Sequence, residues 1–290
     1  MKEKRLLWLV LLSTTAFAQQ KSIIKDSITG KAIGFISAWS LEHDCVLTSD
    51  KKGKIKIGAS LVNDTFLFFS SAYDSKTIFG KEIKKEILLK PKKNVEESKI
   101  KLKKASEKFI KQDEIDFFGD HPYYSIENNQ TQLIAQFIPY QSICDNLKFL
   151  SKLIVGAKAE SKPGLLKIRF FESDTMGNPG LEIVQKELIV KVPQLHFISK
   201  DNSQDYFVSL DLKPYQIQFP KIGLFIAFEL MNVDENSTSI RLTNGKTIEL
   251  INPFLLTNDV QDNTVFEFKQ GRWNKVIDGT PILMKLSLTN

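Results

Sequence analysis

Apolar and polar positions alternate along this chain in short runs separated by turn residues, and long helical periodicity is missing. Between Ser22 and Lys90 the runs are brief. Ile23-Ile24 leads into the turn-forming stretch Asp26-Ser27-Ile28-Thr29-Gly30-Lys31, and the span from Ala32 to Trp39 reads as a strand, as does Cys45-Val46-Leu47-Thr48. Ser49-Asp50-Lys51-Lys52-Gly53 is a turn. Lys54-Ile55-Lys56-Ile57 then shows the period of two that exposes one face and buries the other. Thr65 to Ser70 and Glu86 to Lys90 complete about seven strands, the pattern of a small antiparallel sandwich.

From about Gln130 the strand signals return and lengthen. They cover Gln132 to Pro139, Leu147 to Val155, Leu165 to Phe171, Glu182 to Val190, Tyr206 to Leu212, Gly223 to Leu230 and Ile282 to Leu288. A Gly- and Pro-rich loop, Asp174 to Gly180, parts two of them. Regular strand and turn spacing over this length predicts a second, larger, jelly-roll-like β-sandwich. The expected class is all-β, with a sandwich at 20–90, a connector at 91–124 and a larger sandwich at 125–290.

The first residues have a different pattern. Lys2, Lys4 and Arg5 precede the apolar run Leu6 to Leu12, and Ala16-Phe17-Ala18 follows, which together form the three parts of a secretory signal peptide at 1–18. The apolar run is shorter than the roughly 20 residues a membrane-spanning helix needs, and no later run is long enough. The expectation is an exported product, periplasmic or outer-membrane associated/extracellular, with no transmembrane segment. In that compartment Cys45 and Cys144 have two open readings: one disulfide joining the two domains, or two separate thiols.

Charge changes the picture next. Forty Lys and Arg against 34 Asp and Glu give +6, and Lys81 to Lys111 alone holds twelve Lys against five Glu. The excess is read as a property of the connector. Phe109 is the one aromatic residue among its lysines, short of the repeated interleaving that single-stranded nucleic-acid readers require, so no nucleic-acid partner is expected.

Several spaced elements carry a resemblance. Asp26-x-x-Thr29-Gly30-x-x-Ile33, then Thr48-x-Asp50-x-x-Gly53-x-Ile55-x-Ile57, then Phe68-x-Ser70-x-x-Tyr73 resemble the carboxypeptidase regulatory-like domain, with Ala72 where that family commonly has Gly. The resemblance implies a transthyretin-like β-sandwich in an extracytoplasmic setting in Bacteroidetes-type bacteria, and it carries no catalytic residue. The second half resembles a functionally undefined β-sandwich domain that follows it in such proteins, through Ile134-Ala135-x-Phe137-Ile138-Pro139, Lys167 to Phe171 before Asn178-Pro179-Gly180, and Asp211-Leu212-x-x-Tyr215-x-Ile217-x-Phe219-Pro220 before Phe225 to Glu229. Asp26-Ser27-Ile28 and Asp174-Thr175-Met176 resemble the Asp-Ser/Thr-apolar acceptor of O-glycosylation in the same bacteria.

Candidate chemistry is sparse. His43-Asp44-Cys45 is the one close grouping of base, acid and nucleophile, and on a strand Asp44 would face away from the other two. Asp201-Asn202-Ser203-Gln204-Asp205 alternates oxygen donors as a calcium loop does, but Tyr206 and Leu212 stand where an EF-hand needs Gly and Glu. Three His and two Cys form no zinc pattern, so no metal or cofactor is expected. Glu172 and Asp174 are carboxylates a glycosidase could use only at a separation of about 5–9.5 Å. Trp273 is the best candidate for stacking on a sugar, with Asn178 in the loop 177–180 as its companion; exposed together they favour ligand binding, buried they favour a structural role. Trp39 is read as core. The expected role is non-catalytic binding or assembly at the cell envelope, with an envelope protein or glycan as partner. The alternatives are a glycan-active hydrolase and a purely structural component.

Overall fold

The computed structural model of the chain describes residues 20–92, 113–116, 124–125, 133–159, 161–194, 207–241, 245–258 and 264–290. The expected signal peptide, most of the connector and the Asp201 to Asp205 loop lie outside the described residues. What is described is all-β, with no helix of seven residues or more, so none is long and apolar enough to cross a membrane.

The first sandwich contains β1 (Gln20–Asp26), β2 (Ser37–Ser40), β3 (Val46–Thr48), β4 (Lys54–Ile57), β5 (Thr65–Phe69), β6 (Lys76–Phe79) and β7 (Glu86–Leu89). One sheet has the order β4-β1-β7 and the other β3-β2-β5-β6. Pairing is antiparallel except between β1 and β7, which run parallel with Ile23 opposite Glu86. Ile24, Ile55, Ile57, Ile87 and Leu89 from one sheet meet Ala38, Phe66 and Phe68 from the other.

Turn chemistry closes this sandwich. Asp26 Oδ1 accepts the N–H groups of Ile28 and Thr29, each at 2.8 Å, and the Tyr73 hydroxyl donates to Oδ2 at 3.1 Å. The Thr29 N–H in particular holds the Asp26 carboxyl below its ordinary range against the opposing effect of burial, and burial with the Asp26 contact pushes the Tyr73 phenol up to about 12. Gly53 has φ +75°, and a Cβ there would lie 2.8 Å from the carbonyl oxygens of Ile24 and Ile33, so only glycine fits.

The second sandwich starts upstream of the expected 125. It contains β8 (Asp113–Asp116), β9 (Tyr124–Ser125), β10 (Leu133–Ile138), β11 (Phe149–Lys158), β12 (Gly164–Ser173), β13 (Pro179–Glu182), β14 (Leu188–Val192), β15 (Phe207–Asp211) and β16 (Leu224–Leu230). It continues through β17 (Ser237–Arg241), β18 (Thr247–Ile251), β19 (Phe254–Thr257), β20 (Val265–Lys269), β21 (Arg272–Lys275) and β22 (Met284–Thr289). A seven-stranded sheet has the order β13-β12-β16-β10-β20-β21, with β14 also on β12. A six-stranded sheet has the order β8-β22-β11-β19-β9, with β15 on β11, and β17 and β18 form a hairpin. The single strand expected from Glu182 to Val190 is therefore two, because Glu182 and Glu187 both turn toward cations on β12. The large core joins Ile168, Phe170, Ile226 and Phe228 of the seven-stranded sheet to Leu153, Val155, Leu286 and Leu288 of the other.

The two sandwiches stack sheet on sheet. On β2 and β5, Ala38, Phe66 and Phe68 point into their own core, so Ser37, Trp39, Leu67 and Phe69 face the other way. They cover the outer face of the seven-stranded sheet, where Leu133, Ala135, Phe171, Phe225, Ala227, Phe266 and Phe268 form a second apolar layer. Trp39 is thus buried between sandwiches rather than inside one. All seven residues of β16 are buried for the same reason: both of its faces are covered.

The structure also relocates the basic excess. Residues 81–92 belong to the first sandwich, and residues 20–92 hold thirteen Lys against eight acidic residues. Lys84, Lys85 and Lys90 flank β7 and are exposed, so part of the charge read as connector is the surface of the first sandwich.

Candidate functional site

The His43-Asp44-Cys45 group lies in a tight turn after β2 rather than on a strand, with the Cys45 N–H donating to the His43 carbonyl at 2.8 Å. The alternation expected of its side chains therefore does not apply. Ser40 ends β2, and its Oγ accepts the N–H of His43 at 2.9 Å and of Glu42 at 3.2 Å. The same hydroxyl donates to Asp64 Oδ2 at 2.7 Å, and His43 Nδ1 lies 2.8 Å from that oxygen. Asp64 is buried while the His43 side chain is 62% exposed.

This resembles a triad in composition and differs in wiring. Nucleophilic catalysis needs the hydroxyl on the imidazole nitrogen remote from the acid. Here Ser40 and His43 share one carboxylate oxygen, so Asp64 collects the loop instead of orienting a base. The Cys45 thiol is pushed up by burial and by Asp64, the opposite of an activated nucleophile. The adjoining crevice, lined by Trp39, Ser40, His43, Asp44, Cys45, Val46, Phe268, Lys269 and Gln270, offers about 10 Å³ to a water-sized sphere. That is room for about one water and for no sugar ring. Cys45 and Cys144 are both free thiols.

Trp273 is half-buried on β21, edge-on to Phe171 at 5.7 Å and to Phe268 at 5.2 Å. Phe171 is on β12, four strand positions away, so the sheet curls and the rings lean over the small Ala135 and Ala227 between them. Asn178 is half-buried in the β12–β13 turn, where its N–H and that of Met176 donate to Asp174 Oδ1 at 2.8 and 2.9 Å. No hydrogen bond or ring contact among the described residues joins Asn178 to Trp273. Asp174 is occupied in closing its turn, and Glu172 lies on β12 opposite Leu224. The turn at Asp26 repeats that of Asp174: an Asp carboxylate takes the N–H two residues on, the following Ser27 or Thr175 is exposed, and Ile28 or Met176 after it is 76% or 81% exposed.

The most unusual chemistry lies between the sandwiches. Lys167 and Arg169 on β12 share a face with Phe171 and are 0% and 1% exposed. Arg169 Nη2 is 2.8 Å from Glu182 Oε2, its Nε donates to Glu182 Oε1 at 2.9 Å, and Nη1 donates to Glu229 Oε2 at 3.2 Å. Its guanidinium lies 3.9 Å from the centre of the Phe69 ring of the first sandwich. Lys167 Nζ donates to the Phe35 carbonyl at 2.7 Å and lies 3.3 and 3.4 Å from Glu187 and Glu229. Ser37 donates to Glu229, Ser70 to Glu187 at 2.8 Å and Ser71 to Glu182 at 2.6 Å. Burial alone would lower the Arg169 pKa, but Glu182, Glu229 and Glu187 hold it above its ordinary value; burial would likewise raise Glu187, yet Lys167 and Arg169 pull it below the usual carboxylate range. Sequence reading missed this cluster. Its one signal was the isolated charge in otherwise apolar strands: Glu229 within Gly223 to Leu230, and Lys167 and Arg169 within Leu165 to Phe171.

A wider hollow, about 210 Å³, opens among Ser151, Lys152, Ser209, Asp211, Lys213 and Ser287 on the six-stranded sheet. Asp211 is the one carboxylate among its described lining residues, where glycoside hydrolysis ordinarily needs two. No group of three or more metal-ligating side chains occurs among the described residues. No protein-family model and no curated protein sequence matches the chain.

Proposed function

We propose that the chain is an exported, non-catalytic binding or assembly protein of the bacterial cell envelope, taking a glycan or protein ligand. The observation that carries this reading is the use made of reactive groups. Ser40, His43 and Asp64 close a loop, and five charged side chains that could serve chemistry weld two sandwiches into one four-sheet stack. A rigid β scaffold with its reactive groups spent on architecture suits presentation of a surface. The leader-like first 18 residues and the regulatory-like motif support the setting. Trp273 serves here as part of the inter-sandwich layer, and Ser27 and Thr175 are O-glycan acceptors on exposed turns.

Cell fractionation with intact-mass measurement tests the proposal. Expected is a product in the periplasmic or outer-membrane fraction that lacks residues 1–18 and carries hexose additions lost in the Ser27→Ala, Thr175→Ala double variant. A cytoplasmic product retaining Met1, or release of reducing ends from envelope glycans by the purified chain, overturns it.

A further inference from the structure

The hollow on the six-stranded sheet has the composition of a small-ligand site. Lys152 of β11 stands opposite Asp211 of β15 on one side and Ser287 of β22 on the other, so three lining residues form one row across the sheet. Leu153 and Leu286, the next residue along each strand, point into the core, so this row faces out. Ser151 falls where the β11–β22 register shifts between Leu150 and Lys152. Such a bulge re-aims a side chain. Ser151 lines the hollow and is 1% exposed, and its hydroxyl, buried just behind the surface, has no hydrogen-bond partner among the described residues. Buried polar groups are nearly always paired, so an orphan hydroxyl in a polar hollow points to something that completes it.

The lining selects the class of ligand. Three hydroxyls suit a polyhydroxylated molecule. Two ammonium groups face one carboxylate, and Asp211 Oδ1 already accepts the Lys213 N–H at 3.1 Å, so the balance favours an anion. No aromatic ring is among the described lining residues, which removes the stacking platform that would let a neutral sugar bind without charge. We infer that this hollow binds a single acidic sugar residue, its carboxylate or phosphate between Lys152 and Lys213 and a ring hydroxyl on Ser151. The inference deepens the glycan arm of the proposed function and rests on it.

Titration of the purified chain lacking residues 1–18 with galacturonate, galactose and inorganic phosphate, followed by NMR, tests it. Galacturonate is expected to saturate at millimolar concentration, with galactose and phosphate at least tenfold weaker. Lys152→Gln and Lys213→Gln should each weaken galacturonate about fivefold. Ser151→Ala should weaken it at least threefold while leaving the melting temperature of the free protein unchanged or higher, because the change deletes an unpaired buried hydroxyl. Phosphate binding as tightly as galacturonate, galacturonate binding that ignores all three variants, no saturation at tens of millimolar, or a Ser151→Ala protein that melts lower would each overturn the inference. A chain that binds an envelope polysaccharide yet ignores galacturonate overturns this inference alone and leaves the proposed function standing.

Discussion

The seven-stranded sheet has two covered faces built on opposite principles. One face meets the six-stranded sheet through a mainly aliphatic and aromatic layer, with Ile168, Phe170, Ile226 and Phe228 at its centre and a buried amide, Gln136, accepting the Ile282 N–H at 2.7 Å. The other meets the first sandwich through Lys167, Arg169 and Glu229 beside Phe171, Phe225 and Phe268. The same strands supply both, since neighbours on β12 and β16 point to opposite sides. Shape and volume are enough for a core that forms with its own domain. Joining two separately closed sandwiches also requires a register, and directional bonds from Ser37, Ser70 and Ser71 to glutamates of the second sandwich provide one. Buried ion pairs often contribute little net stability while being costly to break singly, which fits a role in specifying how the sandwiches dock.

That contrast can be broken most forcefully at Arg169. Arg169→Ala leaves Glu182 buried without its cation and Glu229 with Lys167 alone, and should cost about 3–5 kcal/mol, with the sandwiches unfolding separately. Leu153→Ala in the apolar core should cost a comparable or smaller amount, about 2–5 kcal/mol, yet leave one cooperative transition. Urea unfolding followed by circular dichroism measures both.

A smaller effect comes from pH. The Asp26 and Glu187 carboxyls are held below their ordinary values of 3.8 and 4.5 in the folded chain. The stabilisation is therefore present above those values and lost as pH falls through the lower folded pKa values, so stability should decline on acidification below about pH 5. Glu187→Gln should remove part of that decline, measured as a shallower fall in urea midpoint between neutral and acid pH. The smallest effects belong to the loop at 40–45. His43→Gln, at a side chain 62% exposed, should change stability by no more than about 0.5 kcal/mol, and reductant should leave the melting temperature unchanged because Cys45 and Cys144 are free.

Much of the fold was legible because strands announce themselves by alternation. Lys54-Ile55-Lys56-Ile57 reads as β4 on sight, with its isoleucines buried and its lysines exposed. What alternation cannot show is what covers the second face. Lys167 and Arg169 sit at positions that a lone sandwich would give to solvent, and only the sheet of β2 and β5 makes them interior. Trp273 was singled out as a candidate for stacking on a sugar, with a structural role as the alternative; its contact with Phe268 is a local hairpin pair, whereas Phe171 comes from β12, far away in sequence. The basic run at 81–111 was read as one connector because charge density ignores strand boundaries, whereas Ile87 and Leu89 tie its first part to β1. The hollow at Ser151 depends on a register shift, which no local pattern encodes.

The central claim is that the two sandwiches fold and unfold as one unit because of the buried charges between them. Of the three tryptophans, Trp8 falls within the leader-like segment, and Trp39 and Trp273 both lie in the layer between the sandwiches. Tryptophan fluorescence of the chain lacking residues 1–18 therefore reports that layer, while circular dichroism reports both sandwiches. Unfolding in urea should give coincident fluorescence and dichroism transitions in the unsubstituted chain, and a fluorescence transition at clearly lower urea in Arg169→Ala. Separate transitions already present in the unsubstituted chain, or coincident ones that persist in Arg169→Ala, would contradict it.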